Sequence, residues 1–162
     1  MESRTVTAVL DAPRDDVFAY LAEIENLPRW ATEFARELKH EGGKTKVVNG
    51  LGELFFELDA DPDTGVIDML AGPDRERLLC FPTRVVATPV GGSAFTFTMF
   101  QTPGQPDEQF ESQHASLLRE FENLERRFNH SDTRAHGHPV EARSISVAAR
   151  ADKPRDPGSG CD

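Results

Sequence analysis

The chain has 162 residues, enough for one ordinary domain and too few for two of comfortable size. It is 38% hydrophobic and 28% charged, a globular composition, and it has no run of 18 apolar residues that could span a membrane. Its net charge of −10 repels a phosphate backbone and an anionic bilayer surface alike, so neither nucleic-acid binding nor stable membrane insertion is expected.

The order of elements is informative from the start. Residues 5–10 alternate as a strand with one buried face should. Ala12-Pro13 then stops the strand and pre-sets a helix start. Asp15 and Asp16 fall in that helix's first turn, where the macrodipole favours carboxylates. Val17, Leu21 and Ile24, with Phe18 beside them, form its apolar stripe. A second short helix is expected at once, with Asn26 as cap, Pro28 in the first turn, and Trp30 and Phe34 sharing a face.

A meander follows. The spacing predicts a weak strand over Ala35–Glu41, a turn at Gly42-Gly43, and a strand over Lys44–Asn49. Glu53–Ala60 places Leu54, Phe56, Leu58 and Ala60 on one face. The turn Asp61–Gly65 leads to a strand over Val66–Ala71, and Gly72-Pro73-Asp74 turns it back. Arg77–Thr88 reads as one long strand, with Pro82 and Pro89 marking an irregularity or an edge. Ser93–Gln101 sets Phe95, Phe97 and Met99 against Ala94, Thr96 and Thr98. Seven strands are expected in all.

From Asp107 to Asn129 the period becomes helical. Phe110, His114, Leu117, Phe121, Leu124 and Phe128 recur at steps of four and three, along a helix roughly 35 Å long. Residues 131–162 hold no aromatic residue, and their five basic and five acidic residues cancel. The whole −10 therefore sits on residues 1–130, read as the domain, and 131–162 reads as a disordered tail. The start of the chain lacks a signal-peptide pattern, and Cys80 and Cys161 make no disulfide framework, so a cytoplasmic protein is expected.

A long amphipathic helix must bury its stripe, and the only large apolar surface on offer is the face of the antiparallel sheet. Such a sheet twists and curls, and a helix laid across it leaves a hollow. The expected architecture is α+β: the helix-grip fold, with a seven-stranded antiparallel sheet curled around a long C-terminal helix and two short helices after the first strand.

The stretch from Ala12-Pro13 through Val17–Leu21 to Trp30 resembles the opening of the SRPBCC superfamily, which includes START-like domains and the polyketide cyclase/dehydrase family. Residues 64–68, 83–85, 91–97 and 117–124 resemble later blocks of that family, so the likeness covers about residues 3–129. It implies the fold, and it implies a scaffold that carries enzymes, carriers and regulatory binders alike.

Eleven phenylalanines against one tryptophan and one tyrosine predict an apolar interior. The expected lining of the hollow is Trp30, Phe34, Phe56, Leu58, Met69, Phe81, Phe95, Phe97, Met99, Phe110 and Leu117, each of which also reads as ordinary core. His114 is the polar exception on the helix stripe. It would steer a ligand or move a proton if it faced the hollow, and a rim histidine bonded to a strand gives the same spacing. Arg84 would hold a ligand carboxylate if it faced inward, and would be a solvated cross-strand partner if outward. His130, His136 and His138 resemble a metal tract but have no cysteine partner, so no metal and no cofactor are expected. The function expected is binding of a small or medium hydrophobic ligand, lipid- or polyketide-like. The alternatives are an enzyme similar to polyketide aromatase/cyclases that uses His114 or Arg84, and a regulatory protein-interaction domain. Ligand identity and oligomeric state are not written in the residues.

Overall fold

The computed structural model describes residues 1–129. The expected tail, with Cys161 and the three histidines from His130 onward, lies outside the described residues. The first strand, β1, spans Ser3–Leu10, and Val6, Ala8 and Leu10 are buried while Thr5, Thr7 and Val9 are exposed. Helix α1 (Arg14–Ala22) starts after Pro13, carries Asp15 and Asp16 in its first turn, and buries Val17, Phe18 and Leu21. A single 3-10 turn (Ile24–Asn26) leads into a one-turn helix α2 (Leu27–Trp30). Asn26 does not cap it through its side chain; its amide instead donates to Tyr20 O at 3.0 Å. The helix ends at Trp30, so Phe34 lies on the connector beyond it rather than on a shared helical face.

The sheet then runs as β2 (Glu37–Glu41), β3 (Lys44–Asn49), β4 (Gly52–Asp61), β5 (Val66–Gly72), β6 (Leu79–Phe81), β7 (Thr83–Ala87) and β8 (Ser93–Phe100). All pairings are antiparallel, in the order β1-β8-β7-β5-β4-β3-β2, with β6 also on β5. The sheet thus has eight strands rather than seven. Pro82 has no N–H to offer a ladder, and the single strand expected over Arg77–Thr88 breaks there into β6 and β7. Gly65 closes the β4–β5 turn at φ 79°, and a Cβ there would lie 2.2 Å from Val85 O. Only glycine lets that turn sit on β7, where Val85 N donates to Gly65 O at 2.8 Å.

Helix α3 (Asp107–Asn129) has the bounds its periodicity predicts and buries Phe110, Leu117, Phe121 and Leu124. Its last residue fastens it to the sheet edge. Asn129 accepts from Asp11 N at 3.0 Å and donates to Val9 O at 3.1 Å, in the manner of a neighbouring strand. The result is the helix-grip fold, a curled antiparallel sheet with a long C-terminal helix and short helices early. No helix among the described residues is long and apolar enough to cross a membrane.

Candidate functional site

Strand alternation puts Val6, Ala8 and Leu10 of β1, Phe56 and Leu58 of β4, Ile67, Met69 and Ala71 of β5, Val85 of β7, and Phe95, Phe97 and Met99 of β8 on one face. That face holds the core. Where α3 lies on it, aromatic rings meet. Phe121 stacks on Phe95 with centroids 5.2 Å apart, and Trp30 stands edge-on to both, at 6.0 Å and 6.4 Å. Of the residues expected to line a hollow, Trp30, Phe56, Met69, Phe95, Met99, Phe110 and Leu117 are buried in this packing. The expected hollow is in that part occupied by the protein's own rings. Two shallow depressions lie elsewhere, among Glu122, Glu125, Arg126 and Asn129 and around Met1 and residues 101–105, and no inner-face residue lines either.

The rest of the same face is less covered. Helix α3 comes close to β1, and α1 to β7, β5 and β8. Leu58 faces Met69, and Met69 faces Phe81 across the β4–β5–β6 ladder. Phe81 stacks on Phe97 with centroids 5.7 Å apart, and Leu58, Phe81 and Phe97 are all only half-buried. Leu79, two residues from Phe81 on the same face, is 50% exposed. Phe34 comes down on Phe56 from the connector, centroids 5.7 Å apart, and is itself half-buried. These side chains form an apolar strip that the sheet's alternation directs inward and that stays partly exposed beside the buried Phe56 and Met69.

The two polar candidates part company. His114 lies on α3 between Phe110 and Leu117, its side chain 23% exposed, with Nδ1 4.0 Å from Glu111. Arg84 is on the outer face. It is exposed, opposes Thr96 and donates from Nε to Thr64 O at 3.2 Å, so it has no part in a ligand site on the concave face.

A polar cluster that sequence reading passed over joins α3 to the connector after α2. Glu120 is buried at 4% exposure, and its Oε1 accepts from Glu33 N at 2.9 Å and Phe34 N at 2.7 Å. Glu33 in turn accepts from Ser116 Oγ at 2.6 Å and from Arg119 at 2.6 and 2.8 Å. Asn123 donates to Trp30 O at 2.8 Å. Burial raises the Glu120 carboxyl to about 7, with the nearby charge of Glu33 adding to it and the two amides and Arg119 opposing. Hydrogen bonds from Arg119 and then Ser116 hold Glu33 down at about 2. The signal for this cluster was present in the spacing. Glu120 is three residues from Leu117 and four from Leu124, so it shares their inward face.

No family model matches this chain, and no curated protein matches it. Solved structures do. The protein XoxI from Bacillus cereus superposes with a TM-score of 0.64 at 13% identity, covering 80% of this chain and 97% of that one. Ara h 8.0201 gives 0.53 at 17% identity, over 76% and 94% of the two chains. DynU16, a protein in the dynemicin biosynthetic locus, gives 0.58 at 19% identity over 78% of this chain and 46% of its own length. At these identities the likeness is one of fold, and the fold is the helix grip.

Proposed function

We propose that residues 1–130 are a domain of the SRPBCC superfamily that binds a small or medium hydrophobic ligand against the strip formed by Leu58, Leu79, Phe81 and Phe97, with Phe34 at its border. One observation carries this reading: inward-directed apolar side chains, two of them stacked rings, are left only partly buried where a core would seal them. Apolar surface left in water costs about 25 cal/mol per Å², so an apolar guest laid on the strip gains by covering it. Stacked, flat rings and two leucines suit a ligand with planar or chain-like carbon surface, lipid- or polyketide-like. The likeness to DynU16, a protein of a biosynthetic locus, is in keeping with a small-molecule guest. The strip offers no converging pair of acid and base, and this favours binding over an aromatase/cyclase reaction.

The test is titration with N-phenyl-1-naphthylamine, an uncharged fluorophore that brightens in apolar surroundings. Saturable brightening is expected, lost in Phe81→Asp with the circular dichroism spectrum retained. No brightening in the wild type, or an unchanged curve in Phe81→Asp, overturns the assignment.

A further inference from the structure

The alternation that turns Leu58 inward also turns two polar residues inward at the far side of the sheet. On β2 and β3 the inward phase is Leu38 and His40 opposite Val47 and Thr45, and Val47 is buried in the core. Thr45 in turn opposes Phe56, Phe56 opposes Ala71, and Ala71 opposes Leu79. One row of the inner face therefore runs from His40 to the exposed end of the apolar strip. Leu58 lies two residues beyond Phe56 on β4, diagonal to Thr45, at the roughly 7–8 Å such neighbours keep. Gly43, two residues before Thr45, adds no side chain, and a Cβ there would meet nothing within 4 Å, so the β2–β3 turn brings no bulk to that end of β3.

These polar residues form a chain with a third. Glu25, in the 3-10 turn after α1, sets Oε1 3.0 Å from His40 Nε2, and His40 Nδ1 is 3.1 Å from Thr45 Oγ1. A carboxylate can only accept, so Nε2 carries the ring's hydrogen. With the ring uncharged, Nδ1 is an acceptor and the Thr45 hydroxyl donates to it. The Thr45 proton is thus committed, and its oxygen lone pairs are left for a guest. Carboxylate, imidazole and hydroxyl in this order also activate nucleophiles. Thr45, however, is paired with His40 on one side and Phe56 on the other, so its backbone is engaged in the sheet and offers no oxyanion donor. The chain is suited to orienting a hydroxyl rather than to cleaving a bond.

We propose that Thr45 is the hydrogen-bonding end of the ligand site, and that the guest is an uncharged hydrocarbon carrying a hydroxyl group. That hydroxyl donates to Thr45 Oγ1 while the carbon body lies on Leu58 and Phe81. The inference rests on the ligand-binding reading above and adds the class of ligand. A carboxylate is disfavoured twice, because Thr45 has no proton left to offer it and Glu25 repels it. Strands stand about 4.8 Å apart, so the span from β3 to β6 is about 14 Å, the length of an extended decyl chain.

Displacement of N-phenyl-1-naphthylamine by 1-decanol and by its methyl ether, which has the same chain and no donor, tests this on the full chain. In Thr45→Val, which keeps the shape and loses the acceptor, the affinity ratio of alcohol to ether should fall about three- to tenfold, with affinity for the ether kept. Thr45→Ser should restore the wild-type ratio. His40→Ala frees the Thr45 proton to donate to the ether oxygen, so the ether should gain and the ratio fall. Circular dichroism checks the fold of each variant. A ratio unchanged in Thr45→Val, or decanoate bound more tightly than 1-decanol by the wild type, overturns the role of Thr45 and leaves the strip standing. A wild type that binds neither the dye nor either decyl compound overturns the strip and its polar end together.

Discussion

Beneath α3, Phe95, Phe121 and Trp30 meet ring against ring, whereas across β4 to β6 the same face carries Leu58 and Phe81 only half-buried and Leu79 50% exposed. The two regions have the same chemistry and the same strand alternation. They differ in what lies above them. Rings from α2 and α3 close over Phe95, while Leu79 on β6 remains 50% exposed. The comparison separates apolar residues that maintain the fold from apolar residues free to meet a guest, a distinction that composition cannot draw.

The largest effects should come from the ring-filled region. Phe95→Ala removes a fully buried ring that two others pack against, and should cost about 3–5 kcal/mol by urea unfolding. Phe81→Ala, on the open strip, should cost about 1–2 kcal/mol, since much less area is returned to water, while abolishing dye binding. Equal destabilisation by the two would erase the contrast between the regions.

Glu120→Gln probes the boundary between them. The folded chain holds a proton at Glu120 that the unfolded chain has already released, so this group's contribution is complete below about pH 4.5 and is lost as pH rises through 7. At pH 8 the variant should therefore be more stable than the wild type, by up to about 3 kcal/mol, with the difference vanishing in acid. Unfolding curves at pH 4.5, 6 and 8 measure this, and a gap independent of pH would contradict the burial of the carboxylate. Glu33 has the opposite sign. Its depressed value means that the hold of Arg119 is present above about pH 4.5 and is lost as pH falls toward 2, so Arg119→Ala should matter at pH 7 and not at pH 2. The pair is solvent-exposed, so the effect should be small. Smallest of all, Arg84→Ala should change stability by less than about 0.5 kcal/mol and leave dye binding untouched, because the side chain stands on the outer face.

Much of this was legible in the residues. The period of α3 placed its bounds and its buried phenylalanines, Pro13 placed the start of α1, and Pro82 marked the irregularity that proved to divide β6 from β7. The direction of Arg84 was not legible, since a long strand carries both phases and only pairing with β8 decides which face is inward. Glu120 was overlooked for a different reason. A carboxylate in an acidic helix reads as solvated, and its place between Leu117 and Leu124 acquires meaning only when the amides of Glu33 and Phe34, more than eighty residues away in sequence, are brought to it.

Local periodicity and turn chemistry depend on neighbours a few residues apart, so the chain by itself determined its elements, their order, the helix-grip fold and an interior rich in phenylalanine. Coverage depends on how far one helix reaches across a sheet assembled from distant strands. Only the tertiary structure decided which apolar side chains are sealed beneath α3, which stay open along β4 to β6, and which carboxylate is buried where the two meet.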